Sequence, residues 1–230
     1  MSIIELDNLS LQVAERILLH KLNFNLSDGE KAVIYGRSGA GKSSLLRALT
    51  GFFPIAAGTI RVDNVQLNRE NIRIIRSKIT FLTQESIPGG ATALESIMLP
   101  YTFKANAAKR PAPEKVAEIL DLVGLPQNIL SSEAATLSGG EKQRLAIARG
   151  LLLGKKIMLA DEITSALDAA ARDRVMDLLL SLPITLLAVS HDSAVISRFP
   201  LKYELAACTL KLMPPGDAEL QSAGEQSYAG

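Results

Sequence analysis

The sequence has few of the residues that disulfide-stapled domains and aromatic binding surfaces depend on. Among its 230 residues there is one cysteine, Cys208, no tryptophan and an aromatic share of 4%. A lone cysteine cannot form an internal disulfide, so we expect Cys208 to pack as a small apolar side chain. A fold held together by disulfides is therefore excluded.

The sequence also lacks an excess of charge of either sign and any long apolar run. Its formal net charge is +1, so it has no basic excess of the kind that nucleic-acid binding needs. The apolar runs are broken, for example by Arg149, well before the ~18–20 residues of a membrane span. Strand-like residues 3–6 stand where a secretory signal would lie. With a hydrophobic share of 47%, these features predict a cytoplasmic protein with a large core.

A glycine-rich segment from Gly36 to Ser43 fits the pattern G-x-x-x-x-G-K-[ST]. It follows the strand-like residues 31–35 and leads into a helical pattern over residues 43–49. Glycines permit a sharp turn that points backbone N–H groups at phosphates, and the helix adds its positive N-terminal end. Lys42 would supply a charge and Ser43 a hydroxyl ligand for Mg²⁺. The alternative is a glycine-rich turn with a solvated lysine.

Two adjacent carboxylates, Asp161 and Glu162, follow the short apolar run 157–160. A buried parallel strand delivers such residues to the carboxyl edge of a sheet. If strand geometry persists, the two side chains point in opposite directions and have different roles. Asp161 then suits the Mg²⁺ shell, and Glu162 suits the general base that orients the attacking water. Helix capping or a solvated turn is the alternative for both acids.

A second glycine-containing helix start lies about a hundred residues after the first. It reads Leu137-Ser138-Gly139-Gly140-Glu141-Lys142-Gln143-Arg144, and an apolar helix face follows it. Such a start exposes backbone N–H groups toward an anion, although an ordinary serine N-cap has the same sequence. With the loop and the acids in this order, the chain resembles the ATP-binding-cassette (ABC) ATPases, whose signature motif reads LSGGQ or LSGGE.

The resemblance extends from about residue 3 to residue 213 and implies ATP and Mg²⁺ as cofactors. In that family the signature helix of one subunit contacts the ATP on the phosphate loop of the other, which implies a head-to-tail dimer with a second ATPase subunit. The implied contacts in the same subunit are Gly36, Ser38, Gly39, Ala40, Gly41, Lys42, Ser43 and Ser44, and those across the dimer are Ser138, Gly139 and Gly140.

Three single residues gain a role from the resemblance. Gln84 follows the strand-like run 79–83 and matches the Q-loop glutamine, which contacts Mg²⁺ and water. Asp168 matches the D-loop that crosses the dimer interface, although Leu-Asp also starts helices commonly. His191 matches the switch histidine on the γ-phosphate. The implied catalytic residues are Glu162, His191 and Gln84, and the implied metal ligands are Ser43, Gln84 and Asp161.

The sequence departs from the family pattern at two positions. Val13 stands where an aromatic side chain often stacks on adenine, a contact worth about 0.5–1.5 kcal/mol beyond burial, so base discrimination is expected to be loose. Ile163 replaces a common proline, which should be tolerated because proline there contributes about 0.4–1 kcal/mol. The run from Asp161 to Asp168 resembles a subgroup of bacterial cassettes that includes proteins assigned to iron export.

The expected fold is α/β: a P-loop NTPase core with a mostly parallel sheet, a small antiparallel β subdomain and an inserted α-helical subdomain. Alternating short strands before Gly36 and around residues 58–62 suggest the antiparallel part. Residues 1–213 are expected to form the ATPase domain, with the helical subdomain at about 86–152. Residues 214–230 are expected to form a flexible tail.

The leading prediction is the ATP-hydrolysing subunit of an ABC transporter, peripheral on the inner face of the membrane through a separate integral-membrane permease. The expected docking surface lies between Gln84 and Tyr101 and includes Ile87, Pro88 and Met98. The alternative is a soluble cassette with a mechanical or regulatory role, but such cassettes usually carry coiled-coil insertions or a second cassette. A small-molecule kinase would leave the signature motif without a purpose.

Overall fold

A computed structural model describes residues 1–84 and 89–214 of the chain. Two parts of the sequence predictions lie outside the described residues. They are Ile87 and Pro88 of the expected docking surface, and residues 215–230, which are most of the expected tail. The strands are β1 (Ser2–Val13), β2 (Arg16–Ser27), β3 (Lys31–Tyr35), β4 (Ala57–Val62), β5 (Val65–Gln66), β6 (Ile79–Leu82), β7 (Ile157–Asp161), β8 (Thr185–Val189), β9 (Leu201–Ala206) and β10 (Thr209–Met213). The α-helices are α1 (Lys42–Leu49), α2 (Ile72–Lys78), α3 (Ala93–Met98), α4 (Pro113–Leu122), α5 (Gly139–Leu152), α6 (Ala169–Ser181) and α7 (Ser193–Ile196).

The described residues divide into two compact units, residues 1–76 with 185–214, and residues 77–84 with 89–184. The first unit contains an antiparallel sheet with the strand order β2-β1-β4-β5. β1 and β2 are 12 residues each, so the expectation of short strands here was wrong. Several register shifts interrupt their pairing, which lets two such long strands twist and stay paired.

The first unit also carries the strand order β10-β9-β3-β8. β3 pairs in parallel with both β8 and β9, and β10 returns antiparallel to β9. Every residue of β8 is buried, as expected for a parallel strand covered on both faces. Phe24 of β2 meets Tyr203 of β9 edge to face, with 5.0 Å between ring centroids, so the antiparallel sheet packs on this layer.

The second unit pairs β6 in parallel with β7 and packs helices around them. Gly150 brings α5 close to β6, because a Cβ atom there would lie 3.0 Å from side-chain atoms of Leu82 and Thr80. α4 ends at Leu122, and Gly124 follows its C-cap with a φ of 73°, the left-handed conformation common just after a helix C-terminus. The parallel pairs and the antiparallel sheet fit the predicted α/β class.

The helices in the described part of the chain are all too short or too polar to cross a lipid bilayer.

Candidate functional site

The loop between β3 and α1 takes a shape that depends on glycine. Gly36, Gly39 and Gly41 have φ angles of 139°, 73° and 106°, which L side chains rarely adopt. A Cβ atom at Gly36 would collide with the carbonyl oxygen of Leu205 in β9. The backbone at these positions therefore tolerates glycine best, as the phosphate-loop prediction requires.

Lys42 is the first residue of α1 and is 7% exposed. Its Nζ donates to the carbonyl oxygens of Gly36 at 2.7 Å and Arg37 at 3.0 Å, so the ammonium group lies inside the loop. Gly41 is the N-cap of α1 and offers no side-chain hydrogen bond, and the first turn contains no acidic residue. A helix start without a side-chain cap, with a cation held beside it, is suited to an anion.

His191 leaves the same sheet edge as this loop. Ile34 of β3 and Val189 of β8 are partners in a parallel pair, and the Ser190 backbone N–H donates to the Ile34 carbonyl at 3.3 Å. Because parallel strands point the same way, the segments that follow them emerge together at the carboxyl edge. His191 is exposed there, so its imidazole is accessible to a ligand at this edge.

The acid pair ends β7, in which every residue is buried. Asp161 is the last residue of the strand and is 4% exposed. Glu162 is half-buried and has a φ of 50°, so strand geometry does not persist through both acids and stops at Asp161. A non-glycine residue in this region is strained by about 1–3 kcal/mol, and such strain occurs often at functional sites.

Gln84 shares the sheet edge of the acid pair. Leu82 of β6 and Ala160 of β7 are partners in a parallel pair, so residues after both strands leave one edge of the second unit. Gln84 lies two residues beyond β6 and is exposed. The strand-like runs predicted before Gln84 and before the acids are β6 and β7, and the structure makes these two strands neighbours.

The signature segment opens α5 with a complete capping box. Ser138 Oγ accepts from the Glu141 backbone N–H at 3.3 Å, while Glu141 Oε2 accepts from the Ser138 hydroxyl at 2.7 Å and backbone N–H at 2.8 Å. The hydrogen bonds from the Ser138 hydroxyl, and then from its backbone, lower the pKa of Glu141 below its ordinary value. Ser138 and Gly139 are exposed, so this helix start is accessible despite the cap.

Asp168 is the N-cap of α6, where its Oδ1 accepts from the Ala171 backbone N–H at 2.8 Å. In this structure Asp168 therefore caps the start of a helix, which is the alternative that the Leu-Asp sequence offered. The segment before it approaches the signature, since a Cβ atom at Gly140 would lie 3.2 Å from the carbonyl oxygen of Ala166. The D-loop segment and the signature thus form one continuous surface in the second unit.

Comparison with known proteins identifies the family in which these features occur together. The sequence profile of the ABC transporter family matches residues 19–165, which is more than half of the chain. The chain belongs to the ABC transporter family. An energy-coupling factor transporter ATP-binding protein of Ligilactobacillus salivarius is 35% identical over 200 residues, which cover 83% of this chain and 70% of that protein. The probable iron export ATP-binding protein of Escherichia coli is 30% identical, and the match covers 85% of this chain and 87% of that protein.

Other relatives are longer than this ABC chain. A methionine import ATP-binding protein of Lactiplantibacillus plantarum is 38% identical over 77% of the chain, which spans about half (53%) of that protein. Among solved structures, a dimeric bacterial ABC transporter cassette has a TM-score of 0.80 and 31% identity, covering 92% of this chain and 98% of that one. A post-hydrolysis dimer of that cassette bound to ADP and Pi has a TM-score of 0.80 and 30% identity, with the same coverage.

These comparisons confirm the predicted family and the predicted P-loop NTPase fold. They also identify the ABC chain as an ATP-binding subunit and an ATPase. The roles of the individual site residues remain predictions, and the structure gives the position of each residue.

Two contacts in this ABC cassette are absent from the sequence predictions. Arg16 Nη2 donates to the carbonyl oxygen of Gly39 at 2.9 Å, which ties the first residue of β2 to the phosphate loop. The Ser138 hydroxyl is engaged by Glu141. The S-x-x-E pattern of a capping box was present as a signal for the second contact, whereas no local signal exists for the first.

Proposed function

We propose that this ABC chain hydrolyses Mg·ATP at a site shared by two copies, and that hydrolysis powers transport through a separate membrane permease. One observation supports the proposal: the chain has two glycine-containing helix starts that can present backbone N–H groups to phosphate, at Lys42 and at Ser138. A single γ-phosphate on one copy needs only one of them. The second helix start then serves the nucleotide of another copy.

In the proposed site, the phosphate loop binds the β- and γ-phosphates. The backbone N–H groups at the start of α1 donate to phosphate oxygens, and Lys42 moves its hydrogen bonds from the carbonyls of Gly36 and Arg37 to them. Lys42 is already buried in the loop, so most of the free-energy cost of removing its ammonium group from water arises on folding, before a ligand binds. Ser38, Ala40, Ser43 and Ser44 complete the contacts proposed for the same subunit.

Three residues of the chain have side chains suited to Mg²⁺. Ser43 and Gln84 offer neutral oxygen atoms and Asp161 offers a buried carboxylate, which are the hard ligands that Mg²⁺ prefers. Within residues 1–84 and 89–214, no cluster of three or more His, Cys, Asp or Glu side chains could hold a metal by itself. That composition fits a metal that also binds nucleotide phosphates, where it would neutralise charge on them.

The proposed chemistry is attack of water on the γ-phosphorus. The bond between this phosphorus and the bridging oxygen of ADP breaks, and the water proton passes to Glu162 as general base. Gln84 and His191 orient the water and the γ-phosphate. The strained φ of Glu162 supports its role, because strain persists where the surrounding structure holds a residue in a required position.

The second copy contributes Ser138, Gly139 and Gly140 to the γ-phosphate, with Asp168 in the adjoining D-loop. The dimeric form of the similar bacterial cassette supports this arrangement. Ser138 would present its hydroxyl by releasing Glu141 Oε2, while its lone pair continues to cap α5. Loss of the γ-phosphate on hydrolysis would remove this contact and weaken the dimer.

Coupling to a permease is the proposed use of the surface near α3. Leu94, Leu99 and Phe103 are 42%, 36% and 61% exposed in the second unit, an apolar set that a cytoplasmic helix of a permease could cover. The similar proteins are named as ATP-binding proteins of transport systems, which favours a transporter over a soluble mechanical cassette. This coupling places the chain at the cytoplasmic face of the membrane.

Two substitutions test the chemistry. Glu162→Gln should keep Mg·ATP binding and slow turnover by about 10²–10⁴, the usual contribution of a positioned base. Lys42→Ala should weaken nucleotide binding itself. Glu70→Gln and Lys211→Ala, both at exposed positions, serve as controls that should change neither quantity. Near-normal turnover in Glu162→Gln would remove Glu162 from its role.

Crosslinking tests the transport assignment. Single cysteines at positions 94, 99 and 103, introduced after Cys208→Ser, should crosslink to a co-expressed permease in membranes. A cysteine at Lys211, exposed in the first unit, is the control. An active transport complex in which none of the three positions crosslinks would contradict the proposed docking surface.

A further inference from the structure

A cleft adjoins the phosphate loop in the first unit. Its volume is about 370 Å³, and the loop residues 37–40 form one wall. Arg16, Ile17 and Leu18 at the start of β2 form the second wall, and Cys208 in the turn between β9 and β10 lies on the third. A nucleotide whose phosphates lie on the loop can place its nucleoside in this cleft.

Arg16 is fixed at the mouth of the cleft by the phosphate loop itself. It pairs with Val13 across the two-residue turn of the β1–β2 hairpin, and its guanidinium donates to the Gly39 carbonyl at 2.9 Å. Arg16 and Arg37 form no ion pair with any residue that the structure describes. The guanidinium is therefore oriented by a neutral acceptor and keeps its full charge toward the cleft.

Val13, at the position where an adenine-stacking aromatic was expected, has a side chain too small to form that platform and is 51% exposed. Directly opposite it in the hairpin, Arg16 offers a planar cation, a group that stacks on nucleobases. Ile17, 49% exposed on the same side of the cleft, adds apolar surface. The hairpin thus supplies a base platform directly opposite the missing aromatic.

We infer that Arg16 is the nucleoside-binding residue of this ATPase: held by the Gly39 carbonyl, its guanidinium plane stacks on the base in the cleft. The inference rests on the proposed nucleotide site. Every base presents a π-face, so such a platform discriminates weakly between adenine and guanine.

Cys208 gives a direct readout of the cleft, because it lines the cleft and is the only cysteine in the sequence. The rate of its modification by a maleimide should fall several-fold when ADP saturates the wild-type protein. Pyrophosphate, which matches the phosphates of ADP without a nucleoside, should leave the rate unchanged. ADP is preferred to ATP because it lacks the γ-phosphate that would drive dimer formation. An unchanged rate with bound ADP would overturn the placement of the nucleoside.

Substitution of Arg16 tests the platform. Arg16→Ala and Arg16→Lys should weaken ADP and GDP alike by about three- to tenfold in calorimetric titrations. Arg16→Lys keeps the charge, so its affinity for pyrophosphate should equal that of the wild type. Arg73→Ala, at an exposed arginine on α2, is the matched control and should bind all three ligands normally.

The other outcomes separate the inference from the function on which it rests. Wild-type affinity for ADP in Arg16→Lys, or equal losses for ADP and pyrophosphate, would contradict stacking on the base. Failure of the wild-type protein to bind either ligand would instead contradict the proposed nucleotide site. Thermal unfolding without ligand checks that each variant is folded.

Discussion

Glu162 lies at the end of β7 with a φ of 50°, and this strain can be measured by replacing the residue with alanine and with glycine. Both replacements remove the side chain and any contact it makes. Alanine keeps the left-handed strain, which is about 1–2 kcal/mol for an L-residue, whereas glycine adopts this φ freely. Glycine also raises the entropy of the unfolded chain, which lowers stability by about 0.4–1 kcal/mol. The glycine variant should therefore be more stable than the alanine variant by about 1 kcal/mol.

Where the backbone is unstrained, replacing alanine with glycine should lower stability instead of raising it. Ala170 is exposed in α6, so Ala170→Gly should destabilise the protein by about 1 kcal/mol, the difference in helix propensity. For a chain of this length, 1 kcal/mol corresponds to about 2–4 °C in Tm. The assay is thermal unfolding without nucleotide, followed by circular dichroism. If the position-162 glycine variant melts at or below the alanine variant, the backbone at Glu162 is not strained and the argument fails.

Two further predictions concern the loop and the signature. Gly36→Ala should weaken ATP binding, measured by calorimetry, by about tenfold or more. The reason is that a Cβ atom at this position collides with the Leu205 carbonyl and displaces the Gly36 carbonyl that Lys42 contacts. Binding at wild-type strength would contradict the loop geometry. Glu141→Gln should lower the free energy of unfolding by more at pH 7 than at pH 3. The pKa of Glu141 is depressed in the folded state, so its stabilisation is fully present above the ordinary value of 4.5 and declines as the pH falls toward and through the folded value. An equal Glu141→Gln effect at pH 7 and pH 3 would contradict the capping-box account.

Much of the fold could be predicted because its signals are local. The strand over residues 31–35 is β3 as predicted, and the helix that follows begins one residue earlier than expected, at Lys42. The fully apolar run before Asp161 predicted β7 because strands of a covered parallel sheet are buried on both faces. The serine and glycines of the signature marked the start of α5 through their backbone preferences.

The features that the sequence did not predict depend on distant parts of the chain. The contact between Arg16 and Gly39 joins residues 23 positions apart and arises only when β2 and the loop fold together. The φ of Glu162 is imposed by the turn after β7 against the preference of glutamate. The collision that requires Gly36 comes from Leu205, far along the chain in β9. No periodicity or motif encodes these three-dimensional contacts.

The central claim is that ATP is hydrolysed at a site shared by two copies, and subunit mixing tests it most directly. Lys42→Ala lacks the phosphate-loop lysine, and Ser138→Arg blocks the signature, so each should be inactive alone. A mixed dimer has one site that combines the intact loop of the Ser138→Arg copy with the intact signature of the Lys42→Ala copy. Mixing the two folded variants should therefore restore part of the ATPase rate, whereas no activity in proven mixed dimers would contradict the shared site.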